Sequence, residues 1–180
     1  MSILLKRRDV LKGCLGLGVI LAAPSVLASA ISPAERSLAL RNLHTGEQAA
    51  VTYWADGDYV SDELLSVNQV LRDHRSGEVY PIDASLLDQL YLLQHKMGTD
   101  RAFHVISGYR SPASNAKLSA NSNGVAKRSL HMQGRAIDIR LPGVKLDHLR
   151  QAALDLKAGG VGYYPKSDFI HIDTGRVRFW

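Results

Sequence analysis

Two short segments of the chain carry histidine and aspartate residues at a spacing that suits a metal site. The first segment, 129–138, contains His131 and ends at Asp138, and the second, 169–173, contains His171. Two imidazoles and one carboxylate form a ligand set that zinc accepts, and three protein ligands leave one coordination position for water. Such a centre performs hydrolysis. The two segments therefore predict a catalytic metal site.

Strand periodicity predicts that these ligands share one face of a sheet, because alternate residues of a strand point to opposite sides. In both segments isoleucines flank the candidate ligand: Ile137 and Ile139 around Asp138, and Ile170 and Ile172 around His171. We expect the isoleucines to pack in a core while Asp138 and His171 emerge together. His131, in the turn before the first strand, can lie over the same face. The alternative for any single histidine is a hydrogen-bonded core or surface residue.

The length and charge of the chain fit a small enzyme domain. A chain of 180 residues with 46% hydrophobic residues can bury one core. Residues 1–30 hold four of the 22 basic residues and one of the 17 acidic ones, which leaves 18 against 16 in the rest. A net charge of +2 there gives no reason to expect a nucleic-acid partner.

Residues 1–30 have the features of an export signal, which leaves 31–180 as the metal-dependent domain. A basic start is followed by an apolar run over 13–23 and by the small residues Ala28-Ser29-Ala30. The pair Arg7-Arg8 resembles a twin-arginine signal, so we expect export to the periplasm, signal cleavage and no stable membrane insertion. An ordinary secretion signal and an uncleaved anchor are the alternatives.

The single cysteine, Cys14, lies within this export signal. The mature domain therefore has no thiol, which excludes disulfides, cysteine nucleophiles and thiolate ligands. Any metal must be held by histidine, aspartate or glutamate.

The remaining pattern predicts a single α+β domain with an antiparallel sheet flanked by helices. Three boundary residues are expected to cap helices: Ser61, Asp83 and Ser111. Gly159 is expected to close a helix that begins at Leu146. The expected strands are 37–43, 47–54, 102–107, a strand reaching Asp138, 160–164 and 169–173, with a polar, mobile or substrate-facing loop over 119–129.

The ordered motifs carry a family resemblance. The pattern Ser-x-His-x-x-Gly-x-Ala-x-Asp, with Ser-Gly-Tyr-Arg-Ser upstream and Phe-Ile-His-Ile-Asp-Thr-Gly downstream, resembles the D-Ala-D-Ala metallopeptidase family, whose fold is shared with the hedgehog domain. Within that family the chain looks most like the exported murein endopeptidases of the MepK type. The resemblance covers essentially the whole mature chain. It implies one zinc ion held by His131, Asp138 and His171, and hydrolysis of peptide crosslinks in peptidoglycan with a preference for diaminopimelate–diaminopimelate bonds.

Two carboxylates compete for the role of general base, which takes a proton from the attacking water. Asp168 stands three residues before His171, which matches the acid-x-x-His pattern in which family members place their base. Asp173 shares the predicted strand face of His171, about 6.6 Å along the strand. The sequence does not decide which of the two aspartates is the general base.

Three further residues are candidates for contact with substrate. Arg110 follows a strand and a glycine, where a guanidinium can pair with a substrate carboxylate or stabilise an oxyanion. Ser129 is expected to bind substrate or orient a ligand, with a simple turn serine as the alternative. Tyr109 is a possible neighbour of the site. Gly160 and Gly162 are expected to allow close backbone packing, a bulge or entry of a substrate strand.

Other functions are compatible with the same fold. One is a non-catalytic, zinc-containing module that binds the cell wall, and another is a carboxypeptidase that trims terminal D-Ala. A complete set of ligands, base and arginine favours an endopeptidase. The sequence gives no indication of the oligomeric state.

Overall fold

The computed structural model of the protein describes residues 34–121 and 124–180. The predicted export signal at 1–30 lies outside the described residues, so its cleavage and its pathway stay predictions. In the described part of the chain, no helix is long and apolar enough to cross a membrane.

Eight strands and four α-helices make up the described residues. In chain order they are β1 (Glu35–Asn42), β2 (Gln48–Ala55), β3 (Asp58–Tyr59), α1 (Ser61–Val70), α2 (Ala84–Lys96), β4 (Phe103–Ser107), α3 (Pro112–Ala120), β5 (Ala136–Arg140), α4 (Leu146–Leu156), β6 (Gly160–Tyr164), β7 (Phe169–Asp173) and β8 (Arg178–Phe179). Short 3₁₀ helices span Leu130–Gln133 and Pro165–Ser167.

All eight strands form one sheet in the order β3-β2-β1-β4-β5-β7-β6-β8. The predicted single-domain α+β fold is confirmed. The sheet is mixed rather than wholly antiparallel, because β1 pairs with β4, and β6 with β8, in parallel. The first parallel pair follows from the connection between its strands, since a chain that passes through α1 and α2 can return in its starting direction.

The core lies between the sheet and three of the helices. Helix α1 packs against β2, α2 packs against β1 and α4, and α4 packs against β6 and β7. The four isoleucines of β5 and β7 are buried in this core, as their alternation predicts. The opposite face of β5 and β7 therefore carries the polar residues between them.

Several element boundaries differ from the sequence prediction. Asp83 and Ser111 cap their helices, accepting hydrogen bonds from Ser85 N at 3.0 Å and Ser114 N at 3.2 Å. The expected cap at Ser61 is wrong, because Ser61 is already the first helical residue and Val60 makes no side-chain cap bond.

Two further corrections concern the segments around the site. Helix α4 ends at Leu156, and the residue that closes it is Lys157, in the left-handed conformation at φ 50°, rather than Gly159. Gly159 serves a different purpose, since a side chain there would collide with the carbonyl oxygen of Asp173. His131, predicted to lie in the turn before its strand, lies in the 3₁₀ helix Leu130–Gln133, and Gly134 at φ 65° turns the chain into β5.

Candidate metal centre

Three buried side chains converge on the open face of the sheet: His131, Asp138 and His171. Asp138 and His171 are direct partners across the antiparallel strands β5 and β7, and the 3₁₀ helix brings His131 over them. His131 Nε2 lies 3.2 Å from His171 Nδ1 and 3.2 Å from Asp138 Oδ1. His171 Nδ1 lies 2.9 Å from Asp138 Oδ1.

Hydrogen bonds on the far sides of both rings fix which nitrogen faces this centre. His131 Nδ1 lies 2.7 Å from the carbonyl oxygen of Gly108, and His171 Nε2 lies 3.0 Å from Asp173 Oδ2. A carbonyl or carboxylate oxygen can only accept, so each of these nitrogens carries the hydrogen. When both rings are neutral, as a bound metal requires, the lone pairs of His131 Nε2 and His171 Nδ1 therefore point towards Asp138.

The donor set and its spacing fit a divalent metal. Ligands of a tetrahedral zinc ion, at about 2.0–2.1 Å from it, lie roughly 3.3 Å apart, close to the separations found between these three atoms. Two nitrogen lone pairs and a carboxylate that face one another need a cation or a proton between them. Among the residues that the structure describes, this is the one group of three or more such side chains placed to hold an ion. By affinity alone, other divalent metals also suit two imidazoles and a carboxylate.

Asp173 is the partner that orients His171. Its Oδ2 accepts from His171 Nε2 and, at 2.7 Å, from Arg178. Its Oδ1 accepts from the backbone of Gly160 and Gly175 and from Arg178, at 2.8–3.0 Å. Burial raises the pKa of Asp173, but these hydrogen bonds outweigh burial and hold the pKa well below its usual value. Both oxygens are occupied, which is the arrangement of a carboxylate that supports a metal-binding histidine.

The two carboxylates determine the charge of His171 in the metal-free site. Burial lowers the pKa of His171, but the hydrogen bonds and negative charges of Asp138 and Asp173 outweigh burial and raise it to about 8. Burial likewise raises the pKa of Asp138, and the neighbouring His131 and His171 bring it below its usual value. Without a metal, the site therefore holds a proton on His171 at neutral pH.

Arg110 lies beside the ligands and lines the same cavity. Its backbone N–H donates to the carbonyl of His131 at 3.1 Å, and its guanidinium Nη2 lies 3.5 Å from Asp138 Oδ2. The guanidinium also donates to Ser107 Oγ at 3.3 Å and to Asn115 Oδ1 at 3.4 Å. The Nε atom is buried and has no hydrogen-bond partner within the described residues. This arginine is thus held at the site without a strong partner of its own.

Comparison with known proteins places the whole domain in one family. A family model described as peptidoglycan L,D-endopeptidase MepK matches residues 30–180. The chain belongs to the MepK family. The sequence resemblance to MepK-type members of the D-Ala-D-Ala metallopeptidase family is thereby confirmed.

Individual MepK relatives align over nearly the full chain. The peptidoglycan L,D-endopeptidase MepK of Escherichia coli strain K12 is 43% identical over 175 residues, which cover 97% of this chain and 96% of the relative. The probable peptidoglycan L,D-endopeptidase MepK of Haemophilus influenzae is 40% identical over 176 residues, 97% of this chain and 95% of the relative. These matches extend well beyond the metal-site motifs.

The other predicted site residues of this MepK-family chain divide into two groups. Ser129 lines the cavity, and its Oγ accepts from the His131 backbone N–H at 3.3 Å, so it caps the 3₁₀ helix that carries a ligand. Tyr109 does not line the cavity, because its hydroxyl donates to Glu78 at 2.7 Å and its ring stacks on Tyr80.

Asp168 also does not line the cavity. It stands in the left-handed conformation, at φ 52°, after the 3₁₀ helix that joins β6 to β7. Its side chain is 61% exposed and pairs with Arg140 at 2.7 Å. This turn directs the carboxylate to the rim of the sheet, while the strand face of His171 carries Asp173 instead.

Three residues that form one wall of the cavity were not predicted as site residues from the sequence: Tyr164, Arg178 and Trp180. The cavity has a volume of about 280 Å³, and the loop before His131 forms another wall with Gly124, Val125, Ala126 and Arg128. The part of the predicted loop at 124–129 therefore faces the cavity.

In the sequence, the two glycines of β6, Gly160 and Gly162, indicate that another group packs closely against one face of this strand. A Cβ atom at Gly162 would lie 2.7 Å from the indole of Trp180, and one at Gly160 would collide with Arg178 and Asp173. The glycines thus leave room for the side chains of Arg178 and Trp180 to lie over the strand.

Proposed function

We propose that this protein is a zinc-dependent peptidoglycan L,D-endopeptidase that hydrolyses peptide crosslinks of the cell wall. The main support for this proposal is the convergence of His131, Asp138 and His171. Hydrogen bonds to the outer nitrogen of each imidazole orient its inner nitrogen towards the position of a metal ion. The MepK relatives, which are named L,D-endopeptidases, support the bond class. A bond between two diaminopimelate residues joins an L centre to a D centre, so we propose it as the preferred linkage.

In the proposed activity, the metal ion and the residues around it have separate roles. Zinc, when bound, supplies a Lewis acid that activates water near neutral pH and polarises the scissile carbonyl. His131, Asp138 and His171 hold the ion, and Asp173 keeps the His171 ring in its tautomer and orientation.

Arg110 acts on the substrate in this proposal. Its guanidinium presents N–H donors to the cavity beside Asp138, where a peptide carbonyl or carboxylate oxygen of the substrate can accept them. The cavity also contains Arg128 and the Asp173-paired Arg178, so its charge suits a peptide with free carboxylates.

Mass analysis of digested muropeptides tests the function directly. Purified protein with zinc is expected to convert crosslinked muropeptides to uncrosslinked ones, and a chelator or the His171→Ala variant is expected to abolish the conversion. His148→Ala is the matched control, since His148 is an exposed histidine on α4. Crosslinks that survive intact with metal bound would contradict the proposal.

The same experiment separates the alternative functions. Release of free D-Ala without loss of crosslinks indicates a carboxypeptidase. Co-sedimentation with intact sacculi, without any released product, indicates a wall-binding module.

We also propose that the protein is exported to the periplasm by the twin-arginine pathway. The paired Arg7-Arg8, the apolar run at 13–23 and the small residues at 28–30 support this. A reporter fused after residue 30 should reach the periplasm, and Arg7→Lys with Arg8→Lys should stop it. Unchanged export of that double variant, together with dependence on the general secretion route, would assign an ordinary signal.

A further inference from the structure

Tyr164 lies on the side of the metal centre opposite Arg110. The strand order places β4 next to β5, and β6 next to β7, so the two ligand-bearing strands stand between them. Arg110 follows β4, Tyr164 ends β6, and both line the cavity that contains the ligands. A substrate peptide that crosses the centre therefore passes Tyr164.

Among the described residues, the hydroxyl of Tyr164 makes one hydrogen bond, in which it is the acceptor. Trp180 Nε1 lies 2.8 Å from the Tyr164 hydroxyl oxygen. An indole N–H can only donate, so the oxygen is the acceptor and its own hydrogen takes no part in that bond. In residues 34–121 and 124–180, no second group lies within hydrogen-bond distance of this hydroxyl. The hydrogen is available to an acceptor in the cavity.

Both rings are held in place by their surroundings. The backbone of Trp180 pairs with β6, through Trp180 N to Val161 O at 3.2 Å and Tyr163 N to Trp180 O at 3.0 Å. The indole lies against Gly162, and the guanidinium of Arg178 lies 5.1 Å from its centroid.

The phenol ring of Tyr164 has its own support. It stacks on Phe169 with 4.6 Å between the ring centroids. Because the Trp180 N–H occupies a lone pair of the hydroxyl oxygen, the hydroxyl hydrogen points away from the indole.

We propose that the Tyr164 hydroxyl donates a hydrogen bond to an oxygen of the bound peptide, and that Trp180 orients this hydroxyl. The inference rests on the proposed function, since a peptide crosslink offers carbonyl and carboxylate oxygens as acceptors.

The register of β6 indicates where along the substrate this contact falls. Gly162 is the direct partner of His171, and Tyr164 lies two residues further, about 6.6 Å along the strand. The Tyr164 backbone is thus offset from the ligand pair along the strand, while its hydroxyl is held beside the Trp180 indole, whose centroid lies 5.3 Å from that of His171. We assign this hydroxyl to substrate binding. Trp180 acts through Tyr164 as a positioning residue.

The Tyr164→Phe variant tests the hydrogen bond. Loss of one hydrogen bond to substrate is expected to raise KM about fivefold to tenfold and to leave kcat within about twofold. Tyr163→Phe is the matched control, because Tyr163 lies on the opposite face of the same strand, against Arg150. The zinc content of both variants should equal that of the wild type.

A binding measurement without turnover makes the test independent of catalysis. Calorimetry with metal-free protein and an intact crosslinked muropeptide is expected to show a Kd increase for Tyr164→Phe of the same factor as the KM increase. If zinc-loaded wild type releases no product, the proposed function fails, while this Kd comparison still decides the hydrogen bond. An unchanged Kd and KM for Tyr164→Phe would overturn the inference.

The positioning role of Trp180 is tested by a double-mutant cycle. Trp180→Phe keeps an aromatic ring but removes the N–H, so we expect KM to rise about twofold to threefold in the wild-type background. In the Tyr164→Phe background the same change should have no further effect. Equal effects in both backgrounds would show that Trp180 does not act through the hydroxyl.

Discussion

Asp173 Oδ2 receives the Nε2 hydrogen of His171 at 3.0 Å, on the side of the ring opposite the Nδ1 atom that faces His131 and Asp138. Arg178 holds the same carboxylate through two hydrogen bonds of 2.7 and 3.0 Å. The orientation of His171 thus depends on a fully buried aspartate, 0% exposed, that lies outside the triad of candidate ligands.

Asp173→Asn should weaken metal binding. The amide loses the charge that stabilises the His171 N–H, and loss of such a supporting partner typically costs about 10–100-fold in metal affinity. Competition with a chromophoric chelator measures the zinc Kd. Asp155→Asn, a change to an exposed carboxylate on α4, is the control. An unchanged Kd for Asp173→Asn would contradict the orienting role.

Asp168→Asn should retain most of the hydrolytic rate. The Asp168 side chain is 61% exposed, pairs with Arg140 and does not line the cavity. Removal of an exposed ion pair costs about 0.2–1 kcal/mol, and we expect kcat within about threefold of the wild type. Loss of a required general base would instead lower the rate by about 10²–10⁴-fold. Single-turnover kinetics on a crosslinked muropeptide distinguishes these outcomes, with Arg140→Gln as the partner control.

Zinc binding should release a proton and strengthen as pH rises towards 8. In the metal-free protein, Asp138 and Asp173 raise the pKa of His171 to about 8 despite its burial, so the metal must displace a proton at neutral pH. Below pH 8 the affinity is expected to fall about tenfold per pH unit, and above it this dependence should level off.

The same shift has the opposite sign for the stability of the metal-free fold. Because the folded pKa of His171 lies above the unfolded value of about 6.5, the stabilisation is complete below that value and is lost as pH rises through 8.

Calorimetry of zinc binding in buffers of different ionisation enthalpy counts the protons that the protein releases. Zinc binding without proton release at pH 7 would contradict this protonation state.

Gly162→Ala should destabilise the protein and disturb the cavity wall. The added methyl would lie 2.7–2.9 Å from atoms of the Trp180 indole, closer than carbon atoms pack. Such overpacking costs about 1–3 kcal/mol of unfolding free energy, measurable by urea titration. The same substitution in a Trp180→Ala background provides the control, since removal of the indole should relieve most of the loss. An equal loss in both backgrounds would assign the effect to the strand itself.

The centre of the fold and the ligand triad follow from local sequence patterns. Isoleucines that alternate with polar residues fix which face of β5 and β7 is buried, and the same alternation sets the pairing of Asp138 with His171. The caps at Asp83 and Ser111 are equally local signals. These features depend on a few neighbouring residues, so a sequence can reveal them.

The cavity wall and the supporting contacts depend on pairing that no local pattern encodes. Strand β8 has two residues, and its parallel pairing with β6 brings Arg178 and Trp180 to the site. The direction of the Asp168 side chain depends on the left-handed conformation of Asp168 itself, which the spacing of residues in the sequence does not predict. The parallel pair β1–β4 likewise depends on the connection through α1 and α2 rather than on the strands themselves.

The register of β5 against β7 also couples the metal to the folded state. His171 is 33 residues from Asp138 and 40 from His131 along the chain, so the unfolded protein has no preassembled ligand set. An ion that binds only the folded chain adds about 1.4 kcal/mol of stability for each tenfold rise of its free concentration above Kd. The melting temperature should therefore rise with the free metal concentration around the protein. A low metal concentration would shorten the lifetime of the folded protein as well as lower its activity.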